Sequence, residues 1–265
     1  MTATQGSDSA VSQRPPYLYA RLSALIFLSF AIMGAWVPVF SLHLKNLAFS
    51  PEATAWASST SAIGSLIAPL LWGQIADRWL AMERCIGLCA IGSAAGLWLL
   101  AQLSEPGAVF VCCLGLWFFL IPTISLSSSF IFRQLDHPER DYGHVRVWGT
   151  IGWILIGGGL TWWYFASSEA ALADYRDSLH LGCLSAVILA CYALTLPHTP
   201  PYRNASAISD RSWVARMGDA PLSALRLFRE RSFVIYCVTF FGLYLTFPFT
   251  AQLNPLLLRE LGIDP

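Results

Sequence analysis

Charge is scarce in this chain. Only 12% of its 265 residues are acidic or basic, against about 25% in a soluble domain. Apolar residues make up 55%, and the mean hydropathy is +0.55. These values place the chain in the membrane class. A net charge of zero offers no argument for nucleic acid. Its seven cysteines (Cys85, Cys89, Cys112, Cys113, Cys183, Cys191 and Cys237) include no CxxC pair and lie in or beside apolar stretches. They read as small buried apolar residues, and no disulfide framework is implied. There is no Ser/His/Asp cluster, no metal-ligand spacing and no phosphate loop, since no lysine follows the glycines at 157–159. An enzyme, an ATP-driven pump and a cofactor-binding protein are therefore not expected. Those glycines read instead as a place of close helix packing. The first 17 residues, MTATQGSDSAVSQRPPY, lack the apolar core of a cleaved signal peptide and read as a disordered tail.

Long apolar runs are what the chain has in quantity. A span needs about 20 mostly apolar residues. Seven stretches qualify, at about 19–42, 54–76, 84–103, 107–132, 144–166, 179–197 and 232–258. They are too long, and alternate too little, for barrel strands. If the N-terminus is cytoplasmic, thirteen of the sixteen basic residues fall in inside segments. Only Lys45, Arg176 and Arg259 fall outside, so the positive-inside rule favours that orientation. The segment 198–231 is the one long loop. Its start is rich in Pro, Asn and Ser, and its end, RLFRERS, reads as a basic helix on the anionic inner membrane surface. The expected organisation is a cytoplasmic tail (1–17), a six-helix bundle (18–197), a cytoplasmic loop (198–231) and a seventh helix (232–265). This all-α layout resembles the N-terminal half of a major facilitator superfamily transporter plus the first helix of its second half. Such a half is built from 3+3 inverted repeats, although no repeat is visible in the sequence.

Between the second and third stretches lies GQIADRWLAMER. Gly73, Asp77, Arg78 and Arg84 resemble that superfamily's G-x-x-x-D-R-x-G-R-R signature, with Leu80 and Ala81 departing from it. Gly73 is expected to permit close helix approach. Asp77 is expected to cap or pair at a helix end, and Arg78 to reach a neighbouring helix terminus or acid.

The fifth stretch opens HVRVWGTIGWILIGGG. At 100° per residue, Arg146, Thr150, Trp153 and Gly157 fall within about 60° on one face. An arginine inside hydrocarbon costs about 2.5–3.5 kcal/mol, so it is expected to face a protein interior or a watery cavity. The alternative is snorkelling to the surface from the first turn. A guanidinium fork, a hydroxyl and a flat indole suit a neutral, polar, flat solute.

DYGHVRVWGTIGWI is similar to the fifth helix of the bacterial nucleoside:proton symporter family. GQIADRWLAMER, IPTISLSSSFIFRQL and LTLPHTPP extend the likeness over nearly all of residues 20–200. The resemblance implies that Arg146, Thr150 and Trp153 line a nucleoside site. The arginine–tryptophan spacing is also similar to the sugar site of lactose permease, and aromatic-acid permeases share D-Y-G-x-V-R-x-W-G. The fourth stretch has Thr123, Ser125, Ser127, Ser128 and Ser129 but no acid, against a lactose-type site. In the seventh stretch the family carries a glutamine and an asparagine that bind the ligand. A gapless match from Gly242 puts Thr246 and Phe249 in those places; a shifted one would use Gln252 and Asn254.

No acid sits mid-membrane, whereas proton symport needs a buried group whose proton affinity depends on state. His144, at the start of the fifth stretch, reads as solvated. The resemblance places the coupling acids in a second half, so the expectation is a fragment of a chain of about 400 residues, or a truncated product. The expected function is nucleoside import across the cytoplasmic (inner) membrane with protons. The alternatives are another facilitator permease, for a sugar or aromatic acid, and a truncated relative that does not transport.

Overall fold

The computed structural model describes residues 17–166, 175–201, 226–248, 257–258 and 261. Helix α1 (Leu18–Trp36) runs through a 3-10 turn (Val37–Val39) into α2 (Phe40–Asn46). Then come α3 (Pro51–Arg78), α4 (Met82–Leu100), α5 (Pro106–Gln134), α6 (Pro138–Ala166) and α7 (Arg176–Ala193). A 3-10 turn (Arg226–Arg229) precedes α8 (Arg231–Pro248). With α1 and α2 counted as one rod, these are the seven expected spans, and no strand occurs among the described residues.

Local chemistry sets the boundaries. Pro38 lacks the N–H that would continue α1 unbroken, and the rod changes pitch there. Ser50 caps α3, accepting from the Ala53 N–H at 3.2 Å, with Pro51 in the first turn. Glu105 caps α5 by accepting from Gly107 N at 3.1 Å and Ala108 N at 2.6 Å. Those two bonds hold its carboxyl below the usual carboxylate range. Helix α6 starts at Pro138, with Glu139 and Asp141 in its first turn. That is earlier than the expected 144, because proline and acids at a helix start stabilise turns that hydropathy does not count.

Three described segments, Leu18–Asn46, Met82–Leu100 and Pro106–Gln134, are long and apolar enough to cross a membrane by composition alone. Helices α3 and α6 match them in length, with 28 and 29 residues, but Ser, Thr and Gly dilute their apolarity. Hydroxyls inside the bundle bond back to their own helix, as Ser29 does to Leu25 O and Ser93 to Cys89 O, both at 2.8 Å. The expected tail lies outside the described residues except for Tyr17, as does most of the loop. The basic helix expected at the loop's end is instead a four-residue 3-10 turn leading into α8.

The order of packing exposes the inverted repeat. Helix α1 packs on α6 as α5 packs on α3, and α1 packs on α7 as α5 packs on α4. The contacts α4–α7 and α1–α5 map onto themselves. Exchanging the first three spans for the second three therefore returns the same set of major neighbours. Helix α1 is central: Leu22, Leu25, Ile26, Ile32 and Trp36 are fully buried. Large apolar side chains such as Leu66, Val111, Ile154, Trp162 and Phe165 point outward. An exposed apolar surface of this kind marks a membrane or protein partner.

Candidate functional site

The seam between α1 and α6 is built on glycine. A Cβ at Gly34 would stand 2.7 Å from Trp153 O and 2.8 Å from its Cα. One at Gly152 would strike the Phe27 carbonyl oxygen, and one at Gly157 would stand 3.2 Å from Gly34 O. Backbone meets backbone here, which only small residues allow. Of the glycines at 157–159, only Gly157 takes part. Gly158 and Gly159 have nothing within 4 Å of a would-be Cβ, because they lie off the face that meets α1.

Arg146 stands beside this seam. It lies about 12 Å along the axis of α6 from Pro138, rather than in the first turn. Its guanidinium lies over the Phe30 ring, 4.1 Å from the centroid. Gly149 makes room for that pair: a Cβ there would stand 2.8 Å from Phe30 Cδ2 and 3.0 Å from Arg146 Nη1. Arg146 is half-buried, as are Trp153 and Gly157, while Thr150 is exposed. Of the four residues expected on one stripe, Arg146 meets Phe30 of α1, and Trp153 and Gly157 meet Gly34 of α1. Thr246 falls on α8. Phe249, Gln252 and Asn254 lie outside the described residues. On α5, Thr123 and Ser127 are buried, and Ser127 shares a 3.0 Å hydrogen bond with Ser29 of α1.

The loop between α3 and α4 departs from expectation. A Cβ at Gly73 would meet nothing within 4 Å, so no helix approaches it among the described residues. Asp77, Arg78 and Arg84 are exposed. Neither Asp77 nor Arg78 makes a side-chain hydrogen bond or ion pair among the described residues. Both side chains stand at the exposed end of α3, where water can satisfy them. Ala81 is buried and Leu80 packs on the core, which accounts physically for an apolar pair where the signature has a glycine and a base.

The same loop supplies a contact that sequence reasoning misses. Glu83 is 8% exposed. Its carboxylate accepts from Thr199 N at 3.0 Å and lies 2.7 Å from His198 Nδ1. Gln134 Nε2 donates to Thr199 Oγ1 at 2.9 Å, and Met82 N donates to Thr199 O at 3.2 Å. The stretch leaving α7 is thereby strapped to the start of α4 and the end of α5. Hydrogen bonds to a charged group are each worth about 1.5–3 kcal/mol. Glu83→Ala is expected to destabilise the protein by about 2–3 kcal/mol, seen as a lower Tm in detergent. Glu83→Gln, which still accepts from Thr199, should lose less than half as much.

The family model described as Nucleoside H+ symporter matches residues 17–258. Among curated relatives, the putative nucleoside transporter YegT of Escherichia coli is 28% identical over 230 residues, covering 86% of this chain and 52% of that protein. Nucleoside permease NupG of Escherichia coli is 28% identical over 226 residues, covering 83% and 51%. The crystal structure of nucleoside transporter NupG (D323A mutant) superposes with a TM-score of 0.66 at 27% identity, covering 83% of this chain and 53% of that one. The chain spans about half the length of the curated relatives it matches. By name these relatives are transporters and a permease, not enzymes.

Proposed function

The chain belongs to the nucleoside H+ symporter family of the major facilitator superfamily, and from that premise we propose that it serves in proton-coupled import of nucleosides by alternating access. In this reading Arg146, Thr150 and Trp153 form the α6 wall of the solute site. Thr246 and Phe249, or Gln252 and Asn254, add contacts from the seventh span. Gly73, Asp77 and Arg78 at the end of α3, and Arg84 at the start of α4, form a motif that biases the inward–outward balance through surfaces beyond the described ones. The protein sits in the cytoplasmic membrane as a multi-pass chain with its N-terminus inside, as the thirteen-to-three distribution of basic residues supports.

One observation carries the site assignment. The Arg146 guanidinium lies over the Phe30 ring, and among the described residues it makes no hydrogen bond or ion pair. Five N–H donors are thus left for a polar solute. Thr150 adds a donor and acceptor one turn on, and Trp153 a flat apolar surface. A nucleoside pairs a hydroxyl-rich sugar with a flat base and fits that set.

The test is uptake of labelled uridine in cells lacking their own nucleoside permeases, using the longest reading frame that contains this chain. Uptake is expected, and a protonophore is expected to abolish it. Protein at the membrane that takes up a sugar or an aromatic acid but no nucleoside would reassign the solute within the superfamily. Uptake indifferent to the protonophore would remove proton coupling.

A further inference from the structure

Arg146 lies in an α6 whose neighbouring end is highly charged, so its guanidinium has two directions open to it. It can extend toward the end bearing Glu139, Arg140 and Asp141, or remain beside the glycine seam. The structure places it at the seam, over an aromatic face contributed by another helix. Three features make that placement. Phe30 supplies the ring, Gly149 supplies the space in which ring and guanidinium meet, and the Gly34–Trp153 backbone contact fixes the level of α1 against α6.

We propose that Phe30 is a positioning residue for Arg146: its ring holds the guanidinium beside the α1–α6 seam with its N–H donors free to receive the solute. This rests on Arg146 belonging to the solute site, as argued above. A cation over an aromatic ring within about 6 Å of the centroid is attracted by the ring's negative face, and more strongly where water is excluded. A ring face is no conventional hydrogen-bond acceptor, so this hold leaves the N–H groups of the guanidinium unspent on protein oxygens and available to a solute. Phe30 itself is only partly buried and packs on the core, so the ring has one supported side and one side facing Arg146. An aliphatic side chain of similar volume would fill the space without supplying the negative face.

Two ring-less substitutions, Phe30→Leu and Phe30→Met, and one that keeps a ring, Phe30→Trp, separate positioning from packing. The first readout needs no solute: modification of Arg146 by phenylglyoxal in inverted membrane vesicles, quantified by mass spectrometry. Arg146 is expected to react severalfold faster in the Phe30→Leu and Phe30→Met proteins than in the wild type, and at the wild-type rate in Phe30→Trp. The second readout is uridine uptake. The leucine and methionine substitutions are expected to raise KM by about five- to thirtyfold with a smaller change in maximal rate, and the tryptophan substitution by no more than about twofold. Wild-type labelling rates in both ring-less proteins would overturn the proposal, as would KM values in both equal to that of the wild type. If labelling responds as expected while no uridine is taken up, the nucleoside reading falls and the positioning role stands.

Discussion

Arg146→Ala is expected to abolish measurable uridine uptake while leaving the protein in the membrane. A hydrogen bond to a charged group is worth about 1.5–3 kcal/mol, and a guanidinium fork forms two in parallel. Losing both weakens solute binding by at least about a hundredfold, beyond the range of an ordinary uptake assay. The expected structural effect is small, because among the described residues Arg146 makes no ion pair whose partner would be left unpaired. Arg146→Lys separates charge from shape. Lysine keeps the positive charge but presents a point donor in place of the planar fork, so it is expected to recover only a minor part of transport. Full recovery by lysine would mean that charge alone matters. Trp153→Ala belongs in the same series, since it removes the flat surface and should raise KM more than it lowers the maximal rate. Uptake undiminished in both alanine variants would remove α6 from the solute site and leave Arg146 a surface-seeking residue.

The stripe on α6 is legible in the sequence because a guanidinium in an apolar run has few places to go, and its spacing to Thr150 and Trp153 is a matter of helix geometry. Phe30 is not legible. One phenylalanine among many in an apolar run carries no mark of the cation it will meet on a helix far along the chain. The helix count follows from hydropathy alone. The start of α6 does not, since Pro138, Glu139 and Asp141 are signals of helix initiation rather than of apolarity. Glu83 is visible only as one more charge in a loop. Its burial depends on His198 and Thr199, which chain topology brings to it from 115 and 116 positions away. The inverted repeat is invisible for a related reason: the fold keeps which spans touch but not which side chains do. Gly64 of α3 lies against Trp117 of α5, where the corresponding contact sets Gly152 of α6 against the backbone of Phe27. Gly73 is the opposite case. Its motif marks it as a packing residue, yet the α3 surface around it is open among the described residues.

Gly152→Ala is expected to damage the protein more than any other single added methyl group on α6. The new Cβ would strike the Phe27 carbonyl oxygen. A backbone atom in a helix cannot change rotamer to avoid it, so α1 and α6 must separate along the seam. Overpacking of this kind costs about 1–3 kcal/mol. The gain in helix propensity from replacing glycine by alanine, about 1 kcal/mol, offsets only part of it. Gly158→Ala provides the control. It sits on the same helix with the same change in propensity, but its Cβ meets nothing within 4 Å, so it should be neutral or slightly stabilising. Thermal unfolding in detergent is expected to show a lower Tm for the first and an unchanged or higher Tm for the second. Transport should separate them further. Parting the seam moves Phe30 and Gly149 away from each other, and with them the seat of the Arg146 guanidinium. Gly152→Ala is therefore expected to raise the KM for uridine as Phe30→Leu does, although residue 152 lies on the buried seam and not on the stripe that would meet the solute. If Gly152→Ala stabilises the protein as much as Gly158→Ala, the two helices do not approach closely enough for the seam to hold Arg146 in place.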